Sequence, residues 1–141
     1  MASESRLYVF SEDTKKQLRK FRLSTSRATT PQARIYAIDR KTLEIKEAGS
    51  EVYTSLEDIA DALPENTPRY VVLSHPLTLK SGRFSTPYVL LYYMPENANN
   101  ELRMLYAGAK ELMRNTAEVG KVMEVEDEES VIAVKDALVG A

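Results

Sequence analysis

The chain of 141 residues has no cysteine, no tryptophan, a single histidine and five glycines. Without cysteine there is no disulfide, no thiolate nucleophile and no Cys-ligated metal, which fits a reducing compartment. With His75 alone, a histidine metal cluster is excluded, and the common nucleophile–base pairs reduce to a serine with that one imidazole. His75 stands before Pro76, where a strand is expected to end, and reads as a structural histidine. Neither GxGxxG nor GxxxxGK[ST] occurs, so no phosphate-cradling loop is visible, and no GxSxG elbow occurs either. Paired acids stand at Glu57–Asp58, on a short amphipathic helix, and at Glu126, Asp127, Glu128 and Glu129, where a helix start favours carboxylates. No apolar run approaches the ~20 residues that a bilayer crossing needs. The opening MASESRLYVF has neither the basic start nor the apolar core of a signal peptide. A net charge of −2 supplies no global field for nucleic acid or an anionic membrane. These absences argue against an enzyme, a cofactor, a metal, a nucleic-acid partner and a membrane partner. They leave a cytoplasmic binding domain.

What is present suits a globular fold: 43% hydrophobic and 28% charged residues, in a length that fits one domain with its own core. Residues 1–6 are small and polar and read as a tail. Ser11 is an expected N-cap followed by Glu12 and Asp13, and the helix after it turns Leu18 and Phe21 inward. Lys15, Lys16, Arg19, Lys20 and Arg22 form its basic outer row, suited to solvent or to an acidic partner. The turn formers of 24–31 end it. Alternation over 34–38 and 42–47 predicts two strands joined by a tight hairpin at Asp39, Arg40 and Lys41. Thr54 or Ser55 then caps a short helix burying Leu56, Ile59, Ala60 and Leu63. Strands follow at 68–75 and 84–93, the second with a run, Tyr88 to Tyr93, that predicts burial on both faces and with a local break at Pro87. Residues 77–83 join them as a hairpin loop. A strand at 119–125 and a last helix starting at 127–129, with Val131, Val134 and Leu138 inward, complete the order αββαββαβα. The class is α+β: a mixed sheet of about five strands with helices on both faces.

The longest helix is expected over 101–121, capped by Asn99 or Asn100. At about 100° per residue, Leu102, Leu105, Ala109, Leu112, Met113 and Thr116 share an apolar arc. The opposite arc carries Met104, Ala107, Gly108 and Glu111, with Arg103, Lys110 and Arg114 alongside. A solvated face normally carries long charged side chains throughout, whereas this one is low in the middle and basic at its edge. Gly108 inside a helix costs roughly 1 kcal/mol relative to alanine, which implies a close approach to the backbone. Either a partner or another part of the same chain makes that approach.

Three blocks carry a family resemblance: LPENTPRYVV at 63–72, SGRFSTP at 81–87 and MLYAGAKELMRNTAEVGKVMEV at 104–125. In the third, M-x-Y-A-G-x-K followed by T-A-E-x-x-K-V-x-E resembles the glia maturation factors, a branch of the ADF/cofilin-homology (ADF-H) family. It is unlike cofilin itself, which has serine where Gly108 stands. LRKFR at 18–22 and the start MASES also match. The resemblance implies the ADF-H fold and a monomer acting in actin-rich cortical structures. It implies binding to the actin-related protein 2/3 complex, with inhibition of branched nucleation and release of existing branches. The long helix would enter a groove at the barbed end of an actin-related subunit through Arg103, Met104, Ala107, Gly108, Lys110, Glu111 and Arg114. The tail residues Ser3, Glu4, Ser5 and Arg6 would assist. A phosphate on Ser3 or Ser5, adding about −1.5 to −2 charges, would then weaken binding. A second surface, facing the first actin subunit of a branch, would use Lys80, Arg83, Glu126 and Asp127, with Arg19, Lys20 and Arg22. The ending DEESVIAVKDALVGA departs from the aromatic ending of animal members. The rival is a cofilin-like protein that binds and severs actin itself.

Overall fold

The computed structural model describes residues 7–140. Helix α1 (Glu12–Thr25) starts at Ser11, whose hydroxyl accepts the Thr14 amide at 3.1 Å. Leu18 and Phe21 are buried, and the five basic residues of its outer row are exposed, as predicted. Strand β1 (Gln32–Ile38) pairs antiparallel with β2 (Ile45–Glu47). Their connection is longer than the predicted three-residue turn. The Asp39 carboxylate accepts the Lys41 and Thr42 amides at 2.8 and 3.2 Å, and Leu43 adopts φ 61°, so the chain coils through 39–44 before pairing resumes. Helix α2 (Leu56–Ala62) is capped by Ser55 rather than Thr54.

Strand β3 (Arg69–Ser74) sits at the centre of the sheet, antiparallel to β1 and to β6 (Tyr88–Tyr93). Pro87 breaks the predicted 84–93 strand. Its first part, β5 (Phe84–Ser85), pairs instead with β4 (Leu77–Thr78) in a separate two-stranded ribbon. Helix α3 (Asn100–Ala117) then crosses over to β7 (Lys121–Val125), which lies parallel to β6. It ends four residues earlier than predicted. Glu118 turns left-handed (φ 58°), its amide donates to the Asn115 carbonyl and the Val119 amide donates to Arg114, each at 3.2 Å. That pattern closes the helix in a Schellman motif. The predicted last helix is two short ones, α4 (Glu128–Ile132) and α5 (Val134–Val139), meeting at Ala133.

The sheet order is β2-β1-β3-β6-β7. Strand alternation divides its side chains between two cores. Tyr36, Tyr70, Val72, Leu90 and Tyr92 pack under α1 and α3. Ile35, Val71, Leu73, Leu91 and Tyr93 pack under α2, α4 and α5. The mixed five-stranded sheet with helices on both faces is therefore as the sequence predicts.

Candidate binding surface on the long helix

Five side chains hold α3 to the sheet: Leu102, Tyr106, Ala109, Met113 and Ala117. The predicted arc is rotated relative to this stripe, since Leu105, Leu112 and Thr116 are only half-buried. Tyr106 is the reason. Its hydroxyl accepts the Ile38 amide at 3.0 Å, and its ring packs 5.3 Å from that of Tyr70. The Tyr70 hydroxyl in turn donates to the Tyr106 carbonyl at 2.5 Å. Burial pushes the Tyr70 phenol far up, so it remains a neutral donor. An aromatic ring with a satisfied polar tip belongs in the core, and only its partners, distant in sequence, reveal that.

With the inner stripe fixed, the opposite side of the helix is a ridge of Glu101, Met104, Ala107, Glu111 and Asn115, all exposed. Met104 is 76% exposed, the most exposed of the large apolar side chains among the described residues. Asn115 extends the predicted surface by one turn. Glu101 pairs with Arg40 at the ridge's N-terminal end.

The predicted basic margin proves to be occupied. Arg103 donates from Nε to the Ala98 carbonyl at 3.0 Å and from its terminal nitrogen to Pro95 and Glu96 at 3.0 and 2.5 Å. It closes the loop that leads into α3. Lys110 lies 5.0 Å over the Tyr92 ring and 3.7 Å from the Glu124 carboxylate. Arg114 reaches Glu111 at 3.5 Å and the Gly120 carbonyl at 3.4 Å. Lys110 and Arg114 tie one flank of α3 to β7 and to Gly120 before it, and Arg103 ties the start of the helix to the 95–98 loop, with part of each side chain still in solvent.

The other flank holds Gly108, where the close approach is intramolecular. Tyr8 lies on it: a Cβ at position 108 would stand 2.5 Å from the Tyr8 oxygen, which donates to the Leu105 carbonyl at 2.9 Å. A side chain at 108 would therefore have to push the hydroxyl end of Tyr8 aside. Tyr8 stands in the short apolar run Leu7 to Phe10. Its alternation, with Leu7 and Val9 exposed and Tyr8 and Phe10 half-buried, was the available signal. The predicted tail residues Ser3, Glu4, Ser5 and Arg6 lie outside the described residues.

The residues of the predicted second surface are drawn from three places in the fold. Arg19, Lys20 and Arg22 ride on α1, on the α3 side of the sheet. Lys80 and Arg83 project from the β4–β5 ribbon, tied to the opposite side where the Lys80 amide donates to the Val139 carbonyl at 3.3 Å. Glu126 and Asp127 stand at the start of α4. Asp127 also has a structural duty, because its carboxylate caps the Ser130 amide at 2.8 Å.

Residues 8–133 match the family described as cofilin/tropomyosin-type actin-binding protein. The AIM7 protein of Saccharomyces cerevisiae is 34% identical, over 95% of this chain and 97% of its own. Glia maturation factor beta of Homo sapiens is 35% identical, over 85% of this chain and 83% of its own. The solution structure of glia maturation factor from Caenorhabditis elegans superposes with a TM-score of 0.72 at 33% identity, covering 87% of this chain and 88% of that one. Streptomyces griseoflavus cofilin shares the fold, with a TM-score of 0.75 at 16% identity over 95% of this chain and 99% of its own. The fold and these relatives together make the chain a member of the cofilin/tropomyosin-type actin-binding family, in its glia maturation factor branch.

Proposed function

We propose that this chain binds the actin-related protein 2/3 complex, inhibits branched actin nucleation and releases branches, acting as a single ADF-H domain in actin-rich cortical cytoplasm. The observation that carries the reading is the α3 ridge. Met104 stands 76% exposed, next to the low step of Ala107, on a helix whose other sides are all engaged. An apolar anchor on a rigid helix is what groove recognition uses. Similarity to glia maturation factors, at 28–35% identity, supports this reading over the cofilin-like one. The mechanism needs no covalent step. Binding that favours the branch-released arrangement of a multi-subunit complex shifts its population to that state.

The test is isolated branches watched by fluorescence microscopy with purified protein. Accelerated branch loss is the expected result. Met104→Ala combined with Ala107→Glu should abolish it and weaken affinity for the complex at least ~10-fold, about 1.4 kcal/mol, at unchanged melting temperature. Tight binding to actin monomers, with branches untouched, would reject the reading in favour of the cofilin-like one.

A further inference from the structure

Residues 7–10 are held at two points. Their backbone adds to the edge of the sheet: the Val9 amide donates to the Leu43 carbonyl at 2.9 Å, and the Ile45 amide donates to the Val9 carbonyl at 2.8 Å. Strand alternation then sends Tyr8 to the opposite side from Leu7 and Val9, against α3. There its hydroxyl meets the Leu105 carbonyl, in a space that exists because residue 108 has no side chain. The three atoms nearest a hypothetical Cβ at 108 all belong to Tyr8, at 2.5, 3.5 and 3.8 Å. The contact therefore depends on a matched pair, a tyrosine at one end of the chain and a glycine in the middle of the long helix.

We propose that Tyr8 is a positioning residue, keyed into Gly108, that fixes the point from which the N-terminal tail leaves the domain relative to the α3 ridge. This rests on the reading that tail and ridge share one partner. A tail launched from a fixed point beside the helix loses less freedom on binding than one free to swing, so the lock acts by preorganisation. Tyr8 need not touch the partner. Gly108 serves by omission, and a Cβ there pushes the Tyr8 hydroxyl away from the Leu105 carbonyl.

The test uses the full chain as Tyr8→Phe, Gly108→Ala and the double variant. Amide hydrogen exchange of the free proteins reads the lock without any partner. Exchange at the Val9 and Ile45 amides should quicken about tenfold in Gly108→Ala and less in Tyr8→Phe, which keeps the ring. Exchange at Ala109 and Met113 inside α3 should be unchanged. Affinity for purified actin-related protein 2/3 complex should fall about five- to tenfold in Gly108→Ala, and the double variant should be no weaker, because both changes remove one contact. Unchanged exchange at Val9 in Gly108→Ala overturns the lock. Faster exchange with undiminished affinity, or losses that add in the double variant, overturns the positioning role. An unmodified chain that does not bind the complex defeats the partner assignment instead, while the exchange result still decides the lock.

Discussion

Arg103 shows how a side chain can look like a binding residue and serve the fold. In the sequence it sits on a basic margin. In the structure its guanidinium satisfies three carbonyls of the 95–98 loop. Hydrogen bonds to a charged group contribute about 1.5–3 kcal/mol where sheltered, and solvent lowers that here. Arg103→Ala should therefore cost about 1–2 kcal/mol in denaturant unfolding, whereas Met104→Ala, one residue along, should change stability by less than about 0.5 kcal/mol. A loss of partner binding in Arg103→Ala would then be ambiguous, and in Met104→Ala it would not. The same caution covers Lys110, held between Tyr92 and Glu124.

The helices are where local chemistry spoke most clearly. Ser11, Ser55, Asn99 and Asp127 all cap as their residue types predict, each accepting an amide three residues on. The paired strands followed from alternation and from the buried run at 88–93. What stayed illegible was set by contacts far along the chain. The phase of α3 depends on Tyr106 meeting Ile38 and Tyr70, and the use of Gly108 depends on Tyr8. The break at Ala133 has no glycine or proline to announce it. Helix α3 stops short of residue 121 because Glu118, a residue type that does not announce it, takes the left-handed position. A side chain there costs about 1 kcal/mol, so Glu118→Gly should stabilise the domain by about that amount in thermal or denaturant unfolding. At the start of α4, the Ser130 amide and then its hydroxyl hold the Asp127 carboxyl below the usual carboxylate range. Its folded pKa is depressed, so its contribution is present above about pH 4 and is lost as pH falls through the folded value. Asp127→Asn keeps a capping oxygen and should flatten the acid response of α4, read from Ser130 amide exchange between about pH 2 and 5.

For the molecule as a whole, the core under α1 and α3 is rich in tyrosine. Burial is the main cause that raises the phenols of Tyr36, Tyr70 and Tyr88. A raised phenol stays neutral in the fold while the unfolded chain ionises near pH 10, so the stability it confers is complete below about pH 10 and is lost as pH rises. Tyr36 and Tyr70, both fully buried, each add a slope of roughly 1.4 kcal/mol per pH unit once the unfolded form has ionised. A melting series from pH 8 to 12 should show a steep alkaline decline, with phenolate absorbance appearing together with unfolding. Tyr70→Phe should lower that slope by one proton's worth. Ionisation of Tyr36 or Tyr70 in a still-folded chain would contradict the dry core.

The ridge of Met104, Ala107, Glu111 and Asn115 points away from both cores, while the loop clamp, the Tyr8 key and the inner stripe carry the work of folding. That separation has an evolutionary consequence. Residues free of structural duty can be exchanged at almost no cost in stability, so the partner preference of this domain can be retuned, one exposed side chain at a time, on an unchanged frame.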